Sequence, residues 1–261
     1  MTTSADAALA VAVAELGGQV LLDVRSTSSA SGKAMGDEGD RAAHAAIIDA
    51  ISRARPDDAM LSEEAADDQA RLAADRVWIV DPLDGTREFT EAGRTDWAVH
   101  VALVVGGELV VGAVALPALG VTFGTGSPPA LAPQRDGAPR MIVSRTRPPA
   151  LAVHVAGSLG AETVAMGSAG AKAMAVVRGE AEIYLHAGGQ YEWDSAAPVA
   201  VAAAAGLHTS RVDGSPLRYN QPNPWLPDVL ICRPELAEAV IAAAAAAGAE
   251  AAAGAGARRA T

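Results

Sequence analysis

A single cysteine, Cys232, occurs in the 261 residues. That excludes an internal disulfide and any zinc or iron–sulfur site built from several cysteines, and it fits a reducing cytoplasm. Aromatic residues are scarce at 3%, so the core has to be assembled from many small Ala, Val and Gly side chains. Positive charge is also short: 20 Lys and Arg face 31 Asp and Glu, a net charge of −11. Such a field repels phosphate polymers and opposes binding to nucleic acid or anionic membranes. An anionic substrate therefore needs a local cation or a metal. The nearest to an uncharged run of membrane-spanning length is the Ala-rich tail Ile241 to Ala260, which carries Glu250, Arg258 and Arg259. Gly248, Gly254 and Gly256 break that tail, which is expected to be a helix fraying into disorder. The run Ala7 to Leu22 has Asp6 where a signal peptide carries basic residues, and Glu15 interrupts it. Leu9, Val13, Leu16 and Val20 recur at helical spacing and predict an amphipathic first helix.

What is present is half hydrophobic, enough to fold as one large domain or two moderate ones. Ser26 to Gly39, rich in Ser and Gly, reads as a mobile loop. Asp40 then precedes a second helix with a core face of Ala43, Ile47, Ile48 and Ile51, ended by Pro56. Val77 to Val80 reads as a short strand ending at Asp81. Trp97 to Val105 and Glu108 to Leu116 form a hairpin about Gly106-Gly107. The Pro- and Gly-rich stretch Gly124 to Pro139 marks a border near Ala132. Residues 1–131 then form a helix pair with an antiparallel sheet, and residues 132–261 an α/β layer. In the latter, strands are expected at Met141 to Ser144, Thr163 to Met166, Ala181 to His186 and Val229 to Cys232. Helices are expected from Pro149, over Ala169 to Arg178, over Asp194 to Ala205, and at the end. The class is α+β, without internal repeats.

Asp81 follows a buried strand, and Pro82 stiffens the turn after it. Asp84 lies three residues on, so both carboxylates and the Leu83 carbonyl can converge on one ion. Hard oxygen donors of this kind select Mg2+ or Mn2+ over zinc. Gly85 permits close backbone approach, and Thr86 is placed to cap a helix from Arg87 whose free N–H groups hold a phosphate. A tight turn in which Asp84 and Thr86 merely cap explains the same residues. An EF-hand does not, because Gly85 falls at loop position five and Ala92 at twelve. Glu63 and Glu64 stand between a short strand and an acidic helix start with Asp67 and Asp68, which also reads as a solvated charge run. Asp194 opens the Ala-rich helix, where capping is its alternative role, as it is for Asp40.

Leu61-Ser62-Glu63-Glu64, Trp78 to Thr86 and Trp193-Asp194-Ser195-Ala196-Ala197-Pro198, in that order and spacing, resemble the inositol monophosphatase superfamily. Arg87-Glu88-Phe89, Ser144-Arg145-Thr146-Arg147 and Gly167 to Lys172 are similar to its 3′(2′),5′-bisphosphate nucleotidase branch. The resemblance implies a layered αβαβα sandwich. It implies one Mg2+ held by Glu63, Asp81 and the Leu83 carbonyl, and a second held by Asp81, Asp84 and Asp194, with Mn2+ as a substitute. Thr86 paired with Asp40 is implied to orient or deprotonate the attacking water, with Glu63 completing the catalytic set. Asp37-Glu38-Gly39-Asp40 departs from the Thr-Ala-Ala-Asp-like stretch common in the family.

Gly85, Thr86, Ser144, Arg147, Gly167, Ser168, Gly170, Lys172 and Asp194 are the expected substrate contacts, and Tyr219 is read as either core or rim. The implied reaction is Mg2+-dependent, lithium-sensitive release of the 3′-phosphate of 3′-phosphoadenosine 5′-phosphate. Inositol phosphate and fructose bisphosphate are alternatives sharing the metal core. A noncatalytic nucleotide sensor is the reading from another class, and the complete ligand set argues against it. The expected partner is a phosphorylated nucleotide or sugar phosphate, with no nucleic acid or membrane, and with a homodimer left open.

Overall fold

The computed structural model describes the backbone of residues 4–259 and side chains through Ala249. Helices α1 (Ser4–Thr27) and α2 (Lys33–Ala54) pack side by side over one face of the first sheet. The helix expected at the N-terminus is present, but its buried face is not the one the large residues mark. Ala7, Ala10, Val13, Ala14, Gly17, Gly18 and Leu21 face inward, while Leu16 is exposed. A Cβ on Gly17 or Gly18 would stand 2.7 Å from Ile47 or Pro117, respectively. Close approach of the helix therefore selects small residues over large ones. By length and composition alone α1 could cross a membrane; here its small-residue face packs on α2 and the sheet.

The loop expected over residues 26–39 is a correction, since α2 begins at Lys33 and only Ser28 to Gly32 separates the helices. Gly36 and Gly39 are helical, and Cβ atoms there would meet Thr86 at 2.6 Å and Leu21 and Phe89 at 3.1 Å. These glycines serve packing rather than flexibility. Asp40 consequently lies inside α2 and buried, not ahead of it as a cap.

The first sheet has order β1-β2-β3-β4-β5: Ala59–Ser62, Arg76–Asp84, Ala98–Val105, Glu108–Leu116 and Val121–Gly124. β1 runs parallel to β2 and the other pairs are antiparallel. Val105 pairs with Glu108 across Gly106 and Gly107, both at positive φ, as the glycine pair leads one to expect. The acidic helix expected after Glu64 is instead a 3-10 turn, Gln69–Ala73, capped by Asp68.

The second sheet has order β7-β6-β8-β10-β9, formed by β6 (Arg140–Ser144), β7 (Glu162–Met166), β8 (Ile183–Tyr191), β9 (His208–Ser210) and β10 (Trp225–Cys232). Strand alternation assigns each face. Trp78, Val80, Val99 and Val101 point toward α1 and α2, whereas Val77, Ile79, Ala102 and Val104 point the other way. There they meet α5 (Ala169–Val177) and α6 (Glu192–Ala204), which fill the space between the sheets against Ile142, Tyr184, Val229 and Ile231. α4 (Ala150–Leu159) and α7 (Ala237–Arg259) cover the outer face of the second sheet. The layers are therefore α, β, α, β, α, an α+β sandwich. The fraying expected of the tail falls on residues whose side chains, beyond Ala249, lie outside the described residues.

Asp6 pins this stack. Its buried carboxylate accepts hydrogen bonds from Arg55 at the end of α2, at 2.8 and 3.0 Å, and from Arg76 on β2, at 3.1 and 3.3 Å. Burial raises the proton affinity of this carboxyl, but the two guanidiniums overcome it and hold the pKa below 3.8. We expect Asp6→Asn to cost about 2 kcal/mol in urea denaturation at pH 7, a value discounted because both arginines remain partly solvated. A depressed folded pKa stabilises above the unfolded value and is lost as pH falls through the folded one, so wild type and variant should converge in stability below pH 3.8.

Candidate active site

On a regular strand, residues three apart face opposite sides. Asp81 pairs with His100 and Asp84 with Ala98, three steps on β2 against two on β3. The extra residue is a bulge, and it turns both carboxylates to one side. Asp81 is fixed by accepting the Leu83 N–H at 3.0 Å. Gly85, at φ 86°, caps the short helix α3 (Thr86–Thr90). Thr86 is thus the first helical residue rather than the cap, and its hydroxyl donates to the Leu83 carbonyl at 3.2 Å. That carbonyl keeps a lone pair for a cation.

Asp194, third residue of α6, accepts the Tyr191 N–H at 2.6 Å. Capping and site roles therefore coexist in one side chain. One carboxylate oxygen each from Asp81, Asp84 and Asp194 lies within 4.8 Å of the others. Glu63, just past β1, stands outside that close set but near enough to Asp81 for their carboxyls to interact.

Proton affinities record the crowding. Burial and then the charges of Glu63, Asp84 and Asp194 push Asp81 well up. Burial followed by Asp194 and Asp84 brings Glu63 to about 7, and burial with Asp84 brings Asp194 to about 6. Asp40 is pushed to about 7 by burial and by Glu64 and Glu63, and its Oδ1 has no hydrogen-bond partner among the described residues. Asp84 goes the other way. Burial opposes its charge, but His100, Lys172 and Ser168 together hold it low. It accepts the Gly170 N–H at 2.7 Å and a short bond from the Ser168 hydroxyl, with His100 Nε2 at 3.4 Å.

The cluster opens on a cleft of about 330 Å³. Of the expected contacts, Gly85, Ser144, Ser168, Lys172 and Asp194 line it together, beside the expected ligand Asp84, while Thr86 is outside the lining. Lys172 is buried, donates to the Ser168 carbonyl at 2.6 Å and lies over the Tyr184 ring. Ser168 is held at φ 52°, in the left-handed region, while its hydroxyl also caps α5. Gly167 and Gly170, expected as contacts, are outside the lining; Cβ atoms there would overlap Glu88 and His100, so these glycines serve packing behind the cleft. Arg147 is exposed and outside the cleft lining. Its neighbour Arg145 is tied to Glu88 and Glu91. Tyr219 is core: it is buried, hydrogen-bonded with Ser195 at 3.2 Å, and away from this cleft.

Sequence reasoning gave no role to His100, Tyr184, His186, Gln190 or Tyr191. His100 is fully buried on β3, where Nδ1 pairs with the Trp193 carbonyl at 3.0 Å and Nε2 faces Asp84. A lone histidine inside the apolar run Ala98 to Val105 was the available signal, because a polar group in a buried strand requires partners.

Buried oxygens of like charge with one neighbouring lysine are the donor set of a hard divalent cation, so the residues fit the metal the motif calls for. The support behind these ligands is itself testable. A methyl group at Gly170 must displace His100 or pull the Gly170 N–H away from Asp84. We expect Gly170→Ala to weaken Mn2+ binding roughly 10- to 100-fold by calorimetric titration, with the circular dichroism spectrum retained.

The chain resembles known proteins in sequence and in fold. It matches the inositol monophosphatase family over residues 4–127 and 139–249. It is 51% identical over 249 residues to the 3′-phosphoadenosine 5′-phosphate phosphatase of Mycobacterium leprae (strain TN), covering 90% of this chain and 92% of that one. It is 35% identical over 192 residues to the 3′(2′),5′-bisphosphate nucleotidase CysQ of Escherichia coli (strain K12), covering 69% and 77%. Among solved structures, CysQ from Bacteroides thetaiotaomicron superposes with a TM-score of 0.74 at 26% identity, covering 88% and 97%. The motifs, the layered fold and these matches agree, and the chain belongs to the inositol monophosphatase family.

Proposed function

We propose that the protein hydrolyses 3′-phosphoadenosine 5′-phosphate to AMP and inorganic phosphate, with Mg2+ as the working cation and Mn2+ as a substitute. The observation that carries this is the convergence of Asp81, Asp84 and Asp194 beside a cleft lined by Asp84, Asp194, Ser168 and Lys172. The mycobacterial relative at 51% identity, named for this substrate, supports the choice of nucleotide. A cytoplasmic setting belongs to the same proposal.

In this scheme Asp81, Asp84, Asp194, Glu63 and the Leu83 carbonyl hold the divalent cations. Bound there, the cations supply Lewis-acid neutralisation of phosphoryl charge and ease the ionisation of water. The chain does the positioning. Thr86, anchored through its hydroxyl to Leu83, orients the attacking water, and Asp40 and Glu63 are the carboxylates available to accept its proton. Gly85 brings the backbone close to the 3′-phosphate. Ser168 and Ser144 offer hydroxyls, and Lys172 adds positive charge where the protein is otherwise acidic. His100 acts through Asp84, holding it in the ionised form needed for ligation. Water attacks phosphorus in line, the P–O3′ bond breaks, and the ribose oxygen leaves with a proton as AMP.

A phosphate-release panel tests this. We expect Mg2+-dependent turnover of 3′-phosphoadenosine 5′-phosphate, inhibition by lithium, and slower release from inositol 1-phosphate and fructose 1,6-bisphosphate. Asp84→Asn should lower turnover by roughly 10²-fold or more. Absence of phosphate release from the nucleotide with Mg2+ present, or faster turnover of either sugar phosphate, would contradict the proposal.

A further inference from the structure

The segment that follows Glu63 has no apolar anchor. From Glu64 to Ala73 every residue is exposed except Arg71, and Leu72, its one large apolar side chain, is 39% exposed. Arg71 is 1% exposed, so a guanidinium does the work that a hydrophobic side chain would ordinarily do. A buried charge is costly unless its donors are met. Here they are met. Nε and Nη2 donate to the Asp67 carboxylate at 2.6 and 3.0 Å, which closes the segment on itself. Nη1 donates to the side-chain oxygen of Asn220 at 2.6 Å, and Nη2 also donates to the Gln221 carbonyl at 2.9 Å. Those two acceptors lie 149 and 150 residues further along the chain.

Asn220 and Gln221 are themselves fixed on α6. Their backbone N–H groups donate to the buried Glu192 carboxylate at 2.5 and 2.8 Å, and the Glu192 N–H donates to the Pro224 carbonyl at 2.8 Å. Asn220 sits at φ 58° and is one of two non-glycine residues with positive φ among the described residues, a conformation that Asn tolerates better than most. In that conformation its side-chain oxygen accepts from Arg71 while its N–H donates to Glu192. The contacts therefore run without a break from the segment after Glu63, through Arg71, to the turn of α6 that bears Asp194.

We propose that Arg71 is a positioning residue for the catalytic centre: it acts through Glu63, setting how that carboxylate reaches toward Asp81 and Asp194. This rests on the reading of Glu63 as a cation ligand and names what holds that ligand in place. Asp81 and Asp84 belong to a nine-residue strand and Asp194 to a thirteen-residue helix. Glu63 stands just past a strand of four residues, and its N–H donates to the Val80 carbonyl at 3.3 Å. The charges of Asp194 and Asp84 repel it. A segment released from Asn220 and Gln221 is free to carry Glu63 away from them, and Arg71 opposes that movement.

The test needs no turnover. Mn2+ affinity is measured by calorimetry in wild type, Arg71→Met, Asn220→Gly, Glu63→Gln and the two double variants with Glu63→Gln, and amide hydrogen exchange is followed in the metal-free proteins. Arg71→Met keeps an apolar stem and removes every donor. Asn220→Gly keeps the positive φ and removes one acceptor, so it carries the test if Arg71→Met does not fold. With Glu63 present, Arg71→Met should weaken Mn2+ binding about tenfold and Asn220→Gly by a smaller factor. Once Glu63 is Gln, neither should change it by more than about twofold, because a residue acting through Glu63 has nothing left to act on. Exchange at Ala70, Arg71 and Ala74 should quicken in both. Unchanged Mn2+ affinity, or a loss of the same size in the Glu63→Gln background, overturns the role through Glu63, and exchange that does not quicken overturns the anchor itself. A wild type that binds no Mn2+ while exchange in the variants still quickens overturns the cation reading and leaves Arg71 as the anchor of the segment.

Discussion

Three carboxylates within 4.8 Å of one another, two of them buried, repel strongly in surroundings that screen charge poorly. Protons or cations must relieve that repulsion, and the protein is built to make cations the better answer. Asp84 is surrounded by donors from α5 and β3, so it stays ionised. Asp81 and Asp194, with fewer donors, take up the crowding as raised proton affinity. The cluster thus combines one locked anion with neighbours whose charge depends on what occupies the space between them.

Much of the architecture serves to bring these groups together. The bulge in β2 turns Asp81 and Asp84 to the same side, and α6 presents Asp194 from between the sheets. His100 joins them, reaching Asp84 with one nitrogen and the Trp193 carbonyl at the start of α6 with the other. Gly170 has no side chain because His100 needs the room. Farther out, Glu192 accepts the backbone N–H groups of Asn220 and Gln221, and Gln221 also accepts through its carbonyl from buried Arg71. These bonds hold the first turn of α6 against the segment before β10. Carboxylates that arrive from two separate elements, β2 and α6, are thereby linked through His100.

The acidic run was legible in the sequence because its information is local: Asp81, Pro82, Asp84 and Gly85 fall within five consecutive positions after an apolar strand. The hairpin at Gly106-Gly107 was legible for the same reason. The layer order came from the family resemblance, and the fold agrees with it. What could not be read depends on neighbours distant in the chain. Gly36 and Gly39 look like loop residues until Thr86, Leu21 and Phe89 are seen against them, and Leu16 looks like core until α1 is seen to approach through Ala and Gly. The role of His100 needs Asp84, Trp193 and Gly170 assembled around it, and no spacing along the chain announces that. Arg147 carried the right chemistry for a phosphate, yet it stands outside the cleft lining.

The geometry of Asp81, Asp84 and Asp194 is that of a divalent-cation site. Anomalous diffraction from crystals grown with Mn2+ tests it most directly. A strong anomalous peak is expected among the three carboxylates, within about 2.0–2.3 Å of their oxygens, and it should disappear in Asp84→Asn. Mn2+ bound elsewhere with this cluster empty, or a peak unchanged in Asp84→Asn, would contradict it.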